Sequence, residues 1–268
     1  MLSCLHVSGG TWLKQDGIEM SKRTQQSSNS PGQSRFATTH WSVVLAAGKS
    51  SSAQHEQALS TLCQTYWFPL YAYLRRGGYS TDEAADYTQG FFAQMLAKHY
   101  LKKVKPMPGK FRSFLLASLK HFIANERARA RAKKRGGGRK VLSFDFENAE
   151  SQYALEPADD LSPDKVFEKS WALTVLERTM DRLESELADK NRQNLFDYLK
   201  VYLGTEASSV PYSKAAAELD MSEGSVRVAV HRLRRRCREL LRDEIAQTVA
   251  TEEQIDNEIR GLFAALAG

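Results

Sequence analysis

The sequence predicts an all-α protein, built as two small helical domains joined by a flexible linker. Three observations carry that reading. Sustained apolar patterns recur at spacings of three and four residues, the period of a helix, and no convincing strand pattern appears. The periodic segments are bounded by helix-start and helix-stop residues. One stretch, Pro211–Arg242, reads as a short Ala-rich helix, a tight turn and a longer helix laden with arginine.

The elements follow in order. Residues 1–35 have no sustained period, and Ser21–Arg35 is polar and of low complexity, so this extension is expected to be disordered. Met20 is expected to be an alternative translation start. The first domain, residues 36–138, opens with a short helix that Thr39 can cap. A helix over His55–Arg76 places Leu59, Leu62, Tyr66, Leu70 and Leu74 on one face. Pro69 is expected to kink or restart it, and Gly77-Gly78 to end it. Ser80 and Glu83 form a capping box that opens a helix reaching Tyr100, with Tyr87, Phe91, Phe92, Met95 and Leu96 as its apolar face. After the basic loop Lys102–Lys110 comes a helix over Phe111–Arg135, apolar first and ARARAKKR at its end, stopped by Gly136–Gly138.

Residues 139–161 are aperiodic and turn acidic, which makes them the expected linker. The second domain, residues 162–247, begins at Ser162-Pro163, an N-cap followed by proline in the first turn. Its first helix carries Val166, Phe167, Trp171, Val175, Leu176, Met180, Leu183 and Leu187 inward, and a short helix lies in Asn191–Leu203. The helix-turn-helix follows. Ser213 can cap its first helix, Asp220-Met221 makes the turn and Ser222 caps the second. Val226, Val230, Leu233, Cys237 and Leu241 line the inner face of that second helix. The tail, residues 248–268, is an amphipathic helix expected to pack on the second domain, the alternative being a regulatory role.

Charge is distributed unevenly. The net charge is only +6, yet Arg127, Arg129, Arg131, Lys133, Lys134, Arg135, Arg139 and Lys140 form one basic run. Arg227, Arg232, Arg234, Arg235, Arg236, Arg238 and Arg242 form another, on one helix. Two separate basic patches suit a ligand with an extended anionic surface, namely nucleic acid. The short, polar first turn of the second helix lets its backbone approach base edges while the arginines hold phosphates. The three cysteines, Cys4, Cys63 and Cys237, are far apart and odd in number, which fits thiols in a reducing cytoplasm rather than disulfides. No signal peptide and no membrane span is expected. The histidines at positions 6, 40, 55, 99, 121 and 231 lack metal-ligand spacing, and no phosphate-binding loop or paired-carboxylate motif occurs. The expectation is therefore a cytoplasmic protein that is not an enzyme and needs no metal or cofactor.

In order, DEAADYTQGFF, FRSFLLASLKHFIAN and SKAAAELDMSEGSVRVAVHRLRRR resemble three segments of bacterial sigma-70-type factors. Within that family the chain resembles the small extracytoplasmic-function (group 4) class, which has only sigma domains 2 and 4. The resemblance spans Thr38–Ile245. It implies a sigma domain 2-like unit at 36–138 that binds core RNA polymerase and the −10 element. It also implies a sigma domain 4-like helix-turn-helix at 162–247 that binds the −35 element. Partners implied are core polymerase, promoter DNA and an anti-sigma protein of the kind that commonly holds such factors.

Residue by residue, Asp86, Gln89 and Phe92 fall on the family's D-x-x-Q-x-x-F pattern and are the expected polymerase contacts. Gly90 stands where an acid is usual, Phe114 where Trp is usual, and His121 where many members carry Asn. For the −10 strand, Lys120, His121 and Asn125 are the polar candidates, with Arg127, Arg129 and Arg131 on phosphates. Phe122 is expected in the core. For the −35 element, Ser222, Glu223, Ser225, Arg227 and Val228 are expected near base edges, and His231, Arg232 and Arg235 on phosphates. The alternative is a stand-alone helix-turn-helix regulator that binds an operator without polymerase.

Overall fold

The computed structural model describes residues 53–96, 111–132, 144–155, 161–204, 210–249 and 251–267. Among them there is no strand; the elements are nine α-helices and one 3-10 turn. The expected extension 1–35, the helix at Thr39 and the loop Lys102–Lys110 lie outside the described residues.

In chain order the helices are α1 (Ala53–Arg76), α2 (Thr81–Leu96), α3 (Phe111–Ala132), α4 (Phe146–Leu155), α5 (Pro163–Ala188), α6 (Gln193–Leu199), α7 (Tyr212–Glu218), α8 (Glu223–Ala246) and α9 (Glu253–Ala267). A 3-10 turn, Lys200–Tyr202, extends α6. The local signals act where the sequence puts them. Ser80 and Glu83 satisfy each other's backbone N–H groups at 2.9 and 3.2 Å. Ser162 accepts from the Lys165 N–H, and Pro163 stands in the first turn. Pro69 does not interrupt α1, which runs through it as one helix.

Three helix ends share one device. After α1, α5 and α7 a residue takes positive φ, so that the next N–H reaches back five residues to an unpaired helical carbonyl. The residues are Gly78, Asn191 and Asp220, with φ of 86°, 54° and 50°. The closing bonds are Tyr79 to Leu74, Arg192 to Leu187 and Met221 to Ala216, at 3.2, 2.8 and 2.9 Å.

The packing has two cores. The first joins Tyr66, Leu70 and Leu74 of α1, Phe91, Phe92 and Met95 of α2, and Phe111, Leu115 and Leu119 of α3. It also takes Phe167, Trp171 and Val175 from α5, Leu241 and Ile245 from α8, and Ile255 and Leu262 from α9. The second lies around Leu183, Phe196, Leu199, Tyr202, Ala215, Val226, Val230, Leu233 and Leu240. Thus α5 and α8 run from one core into the other, and the core partition does not follow the boundary expected at 139–161. Trp171, fully buried, donates from its indole nitrogen to the Tyr66 hydroxyl at 3.1 Å and joins α5 to α1.

One expectation is corrected and another is extended. The stretch 139–161 was expected to be aperiodic linker throughout, yet it contains α4. Glu150 accepts from Arg75 through both oxygens, at 2.7 and 3.0 Å, and from the Tyr71 hydroxyl at 2.5 Å. Trp67 stacks on Phe144, with ring centroids 5.2 Å apart, and meets Phe146 edge-on. These partners lie on α1, so a reading of local period misses the helix. The tail packs on α5 and α8 of the second domain, as expected, and also reaches the first part. Glu258 of α9 binds Arg112 of α3, while Arg242 of α8 binds Asp256 of α9.

Candidate nucleic-acid interface

The helix-turn-helix is built as its residues demand. Ala215 and Ala216 are buried, which lets α7 sit close against α8. Ser213 does not cap α7, contrary to expectation. The N-cap is Pro211, held extended at φ −69° and ψ 147°, so the helix begins two residues earlier and Ser213 lies inside it. Asp220 takes the left-handed turn, and Ser222 is the N-cap of α8, its hydroxyl accepting the Ser225 N–H at 3.2 Å. The Ser225 hydroxyl lies 2.9 Å from that of Ser222, so the first turn presents short, mutually bonded polar groups.

On α8, Val226, Val230, Leu233, Leu240, Leu241 and Ile245 face inward, and Cys237 is half-buried, with burial pushing its thiol up. The opposite face carries Glu223, Arg227, Val228, His231, Arg232, Arg235 and Arg238, all exposed. Val228, 51% exposed, is one of three large exposed apolar residues among those described, an apolar tip of the kind that meets a thymine methyl.

The arginines of α8 divide into two groups. Arg234 donates twice to the Tyr202 carbonyl, at 2.9 and 2.7 Å. Arg236 grips Glu186 of α5 through two bonds, at 2.8 and 2.6 Å, which hold the guanidinium charged and the Glu186 carboxyl below the usual range. Arg242 is paired with Asp256. These three tie α8 to its neighbours. Arg232 and Arg238 have no ion-pair partner among the described residues, and Arg235 has only a loose one, Glu239 at 3.6 Å. Arg227 is placed over the Tyr212 ring. Sequence reasoning omitted Arg238, which shares a face with His231 and Arg235; the spacing of four and three residues was the available signal.

On α3, Lys120 is paired with Asp164 at 2.6 Å and lies over the Tyr73 ring; the hydrogen bond to Asp164 is the main cause raising its ammonium pKa. Its charge is engaged by that pair. His121 and Asn125 are exposed. Arg127 is exposed over the Tyr79 ring at 5.1 Å, and Arg129 bonds Glu126 at 2.6 Å. Arg131 is on α3, with its side chain outside the described ones. Phe122, 7% exposed, packs edge-on against Phe91 in the core, as expected.

On α2, Asp86 is exposed and Gln89 half-buried. Phe92 is fully buried, against Phe91 and Phe144, so its ring is a core group and offers a partner nothing. Gly90 has a packing reason: a Cβ there would stand 3.3 Å from the ζ carbon of the Phe122 ring. An acid at this position would push into that ring.

Among the described residues no group of three or more His, Cys, Asp or Glu side chains could hold a metal, and no helix is long and apolar enough to cross a membrane. Cys63 is buried and Cys237 half-buried, and both are free thiols. Comparison of this chain with models of known protein families, with curated proteins and with solved structures gave no match.

Proposed function

We infer that the protein is a sigma-type initiation factor of the extracytoplasmic-function class, a non-enzymatic cytoplasmic protein that joins core RNA polymerase to promoter DNA. The observation that carries this reading is the Ser222-capped helix α8. Its outward face has no ion-pair partner among the described residues at Arg232 and Arg238, while Arg234, Arg236 and Arg242 fasten it to the fold. Such a helix can enter a major groove, with Ser222, Glu223, Ser225, Arg227 and Val228 toward base edges and the later cations on phosphates. The three family-like segments in order supply the polymerase and −10 roles. Exposed Asp86 with Gln89 is the proposed polymerase contact, and His121, Asn125 and Arg127 are the proposed −10 contacts. An anti-sigma partner belongs to the same proposal.

The second reading, a helix-turn-helix regulator acting without polymerase, is favoured by the burial of Phe92 and by the continuity of α5 and α8 through both cores. Run-off transcription separates the two readings. Core polymerase is supplied with genomic fragments from the source organism, with and without the protein. New protein-dependent starts that share spaced −35 and −10 elements, lost with Asp86→Ala plus Gln89→Ala, support the sigma reading. Tight duplex binding without any association with core polymerase overturns it in favour of the regulator.

A further inference from the structure

Among the described residues, Arg227 is the one cation of α8 that lies over an aromatic ring, its guanidinium carbon 5.5 Å from the centroid of Tyr212. The ring comes from the first residue of α7, the other helix of the motif. It is itself held. Tyr212 stacks on Tyr202 with centroids 4.8 Å apart and planes 24° from parallel. Tyr202 is 2% exposed, and its hydroxyl donates to the Pro211 carbonyl at 3.1 Å, next to the start of α7. Its own carbonyl receives Arg234 from α8. The ring beneath Arg227 is therefore anchored to the backbone of α7 and, through Tyr202, to the helix that Arg227 belongs to.

This arrangement bears on recognition. An exposed arginine samples many rotamers, and a contact that needs one of them is weakened by the rest. A guanidinium laid on a ring keeps its face covered and its N–H edge outward. That edge is the one that pairs with O6 and N7 of guanine. No carboxylate is paired with Arg227 among the described residues to compete for it.

We propose that Tyr212 is a positioning residue for sequence readout, holding Arg227 so that its N–H edge selects guanine at one base pair of the duplex. The proposal rests on the DNA-binding reading and adds to it a residue outside the expected contact set.

The test uses the full chain and a randomised duplex DNA library, with bound fractions sequenced. Arg227→Ala identifies the base pair: the position enriched for guanine with the native protein loses discrimination about five- to a hundredfold. Tyr212→Leu is expected to reduce discrimination at that same position by about two- to fivefold, with other positions and the salt slope unchanged, because the charge of Arg227 remains. Tyr212→Phe, which keeps the ring, retains the native preference. In an Arg227→Ala background Tyr212→Leu has no further effect at that position.

An equal effect of Tyr212→Leu with and without Arg227 overturns the proposal while leaving DNA binding intact. A native protein that enriches no sequence overturns the DNA-binding reading itself, and this inference with it. A readout independent of the folding of any Tyr212 variant is the proton spectrum of the native chain. The Arg227 side-chain methylene signals are expected upfield from the ring current of Tyr212, and signals at ordinary arginine positions overturn the proposal.

Discussion

Arg112 on α3 and Glu258 on α9, 146 residues apart in sequence, form a two-point ion pair, Nε to Oε1 at 2.6 Å and Nη2 to Oε2 at 3.2 Å. Both side chains are out of solvent, 7% and 1% exposed. The Arg112 guanidinium also lies 4.3 Å from the Trp171 ring and binds Glu168 on α5. Removing Glu258 leaves the buried Arg112 guanidinium with only the more exposed Glu168 carboxylate as an ion-pair partner. Glu258→Ala is therefore expected to lower stability by about 2–3 kcal/mol, less than for a buried charge left with no partner, because Glu168 remains. Arg112→Met together with Glu258→Leu removes both charges and recovers most of that loss. Denaturant unfolding of the full chain measures both. A single variant within about 1 kcal/mol of native would show that the pair contributes little to holding the tail.

The division of the α8 arginines gives a second expectation. Arg232→Ala and Arg235→Ala should each flatten the dependence of duplex binding on salt by about one counterion, with little change in stability. Arg236→Ala should do the reverse. It leaves the slope nearly unchanged and destabilises by about 1 kcal/mol, since its two-point pair with Glu186 is partly exposed and screened. Fluorescence titrations at several salt concentrations, with thermal unfolding alongside, give both quantities. Equal slopes lost for all three would erase the distinction between tethering and outward arginines.

How much of this was legible in the sequence follows the range of the interactions involved. Caps at Ser80, Ser162 and Ser222 are set by residues two or three positions away, and all three form as the sequence implies. The inner stripe of α8 is a matter of period and was equally plain. What lay beyond reach depends on distant partners. Arg232 and Arg236 look alike in sequence, but Glu186 faces one and nothing described faces the other. The helix α4 has no clear period of its own and is held by Tyr71, Arg75 and Trp67 of α1. Phe92 fits a surface motif and a core stripe equally well, and only the packing of Phe144 against it decides. Ser213 is a good capping residue that lies two positions past the cap, because Pro211 already has the extended backbone that a cap requires.

Glu150 gives a pH dependence. Its hydrogen bonds from Arg75, the largest cause, hold its carboxyl below the ordinary value of 4.5, against the opposing effect of burial. A carboxyl whose folded pKa is depressed stabilises the fold fully above its unfolded value, and that stability is lost as pH falls through the folded value. The side chain is 35% exposed, so solvent screening limits the contribution to about 1 kcal/mol. Glu150→Gln is expected to melt below the native protein at pH 7. Below about pH 4.5 the two melting curves should converge. A constant difference across that range would mean that the variant acts through packing rather than through charge. The neighbouring Tyr71 phenol is pushed up to about 12, first by burial and then by Glu150, and stays protonated throughout.

Lys120 and Asp164 make the last expectation, and it bears on the proposed −10 role. The pair is about half exposed, 47% and 56%, and joins α3 to the first turn of α5. As long as it holds, the Lys120 ammonium is turned to a carboxylate rather than to a phosphate. Asp164→Asn removes the competing charge and keeps the side chain's shape. The cost in stability should stay near 1 kcal/mol, from an exposed pair and a favourable helix N-terminal charge. Single-stranded DNA bearing the non-template sequence of a promoter that the protein opens should then bind more tightly, with a salt slope steeper by about one counterion at most. Adding Lys120→Ala to that variant should remove the gain. If Asp164→Asn binds no better, and Lys120→Ala alone costs no affinity, Lys120 is a tether between α3 and α5, and the −10 contact falls to His121, Asn125 and the arginines beyond them.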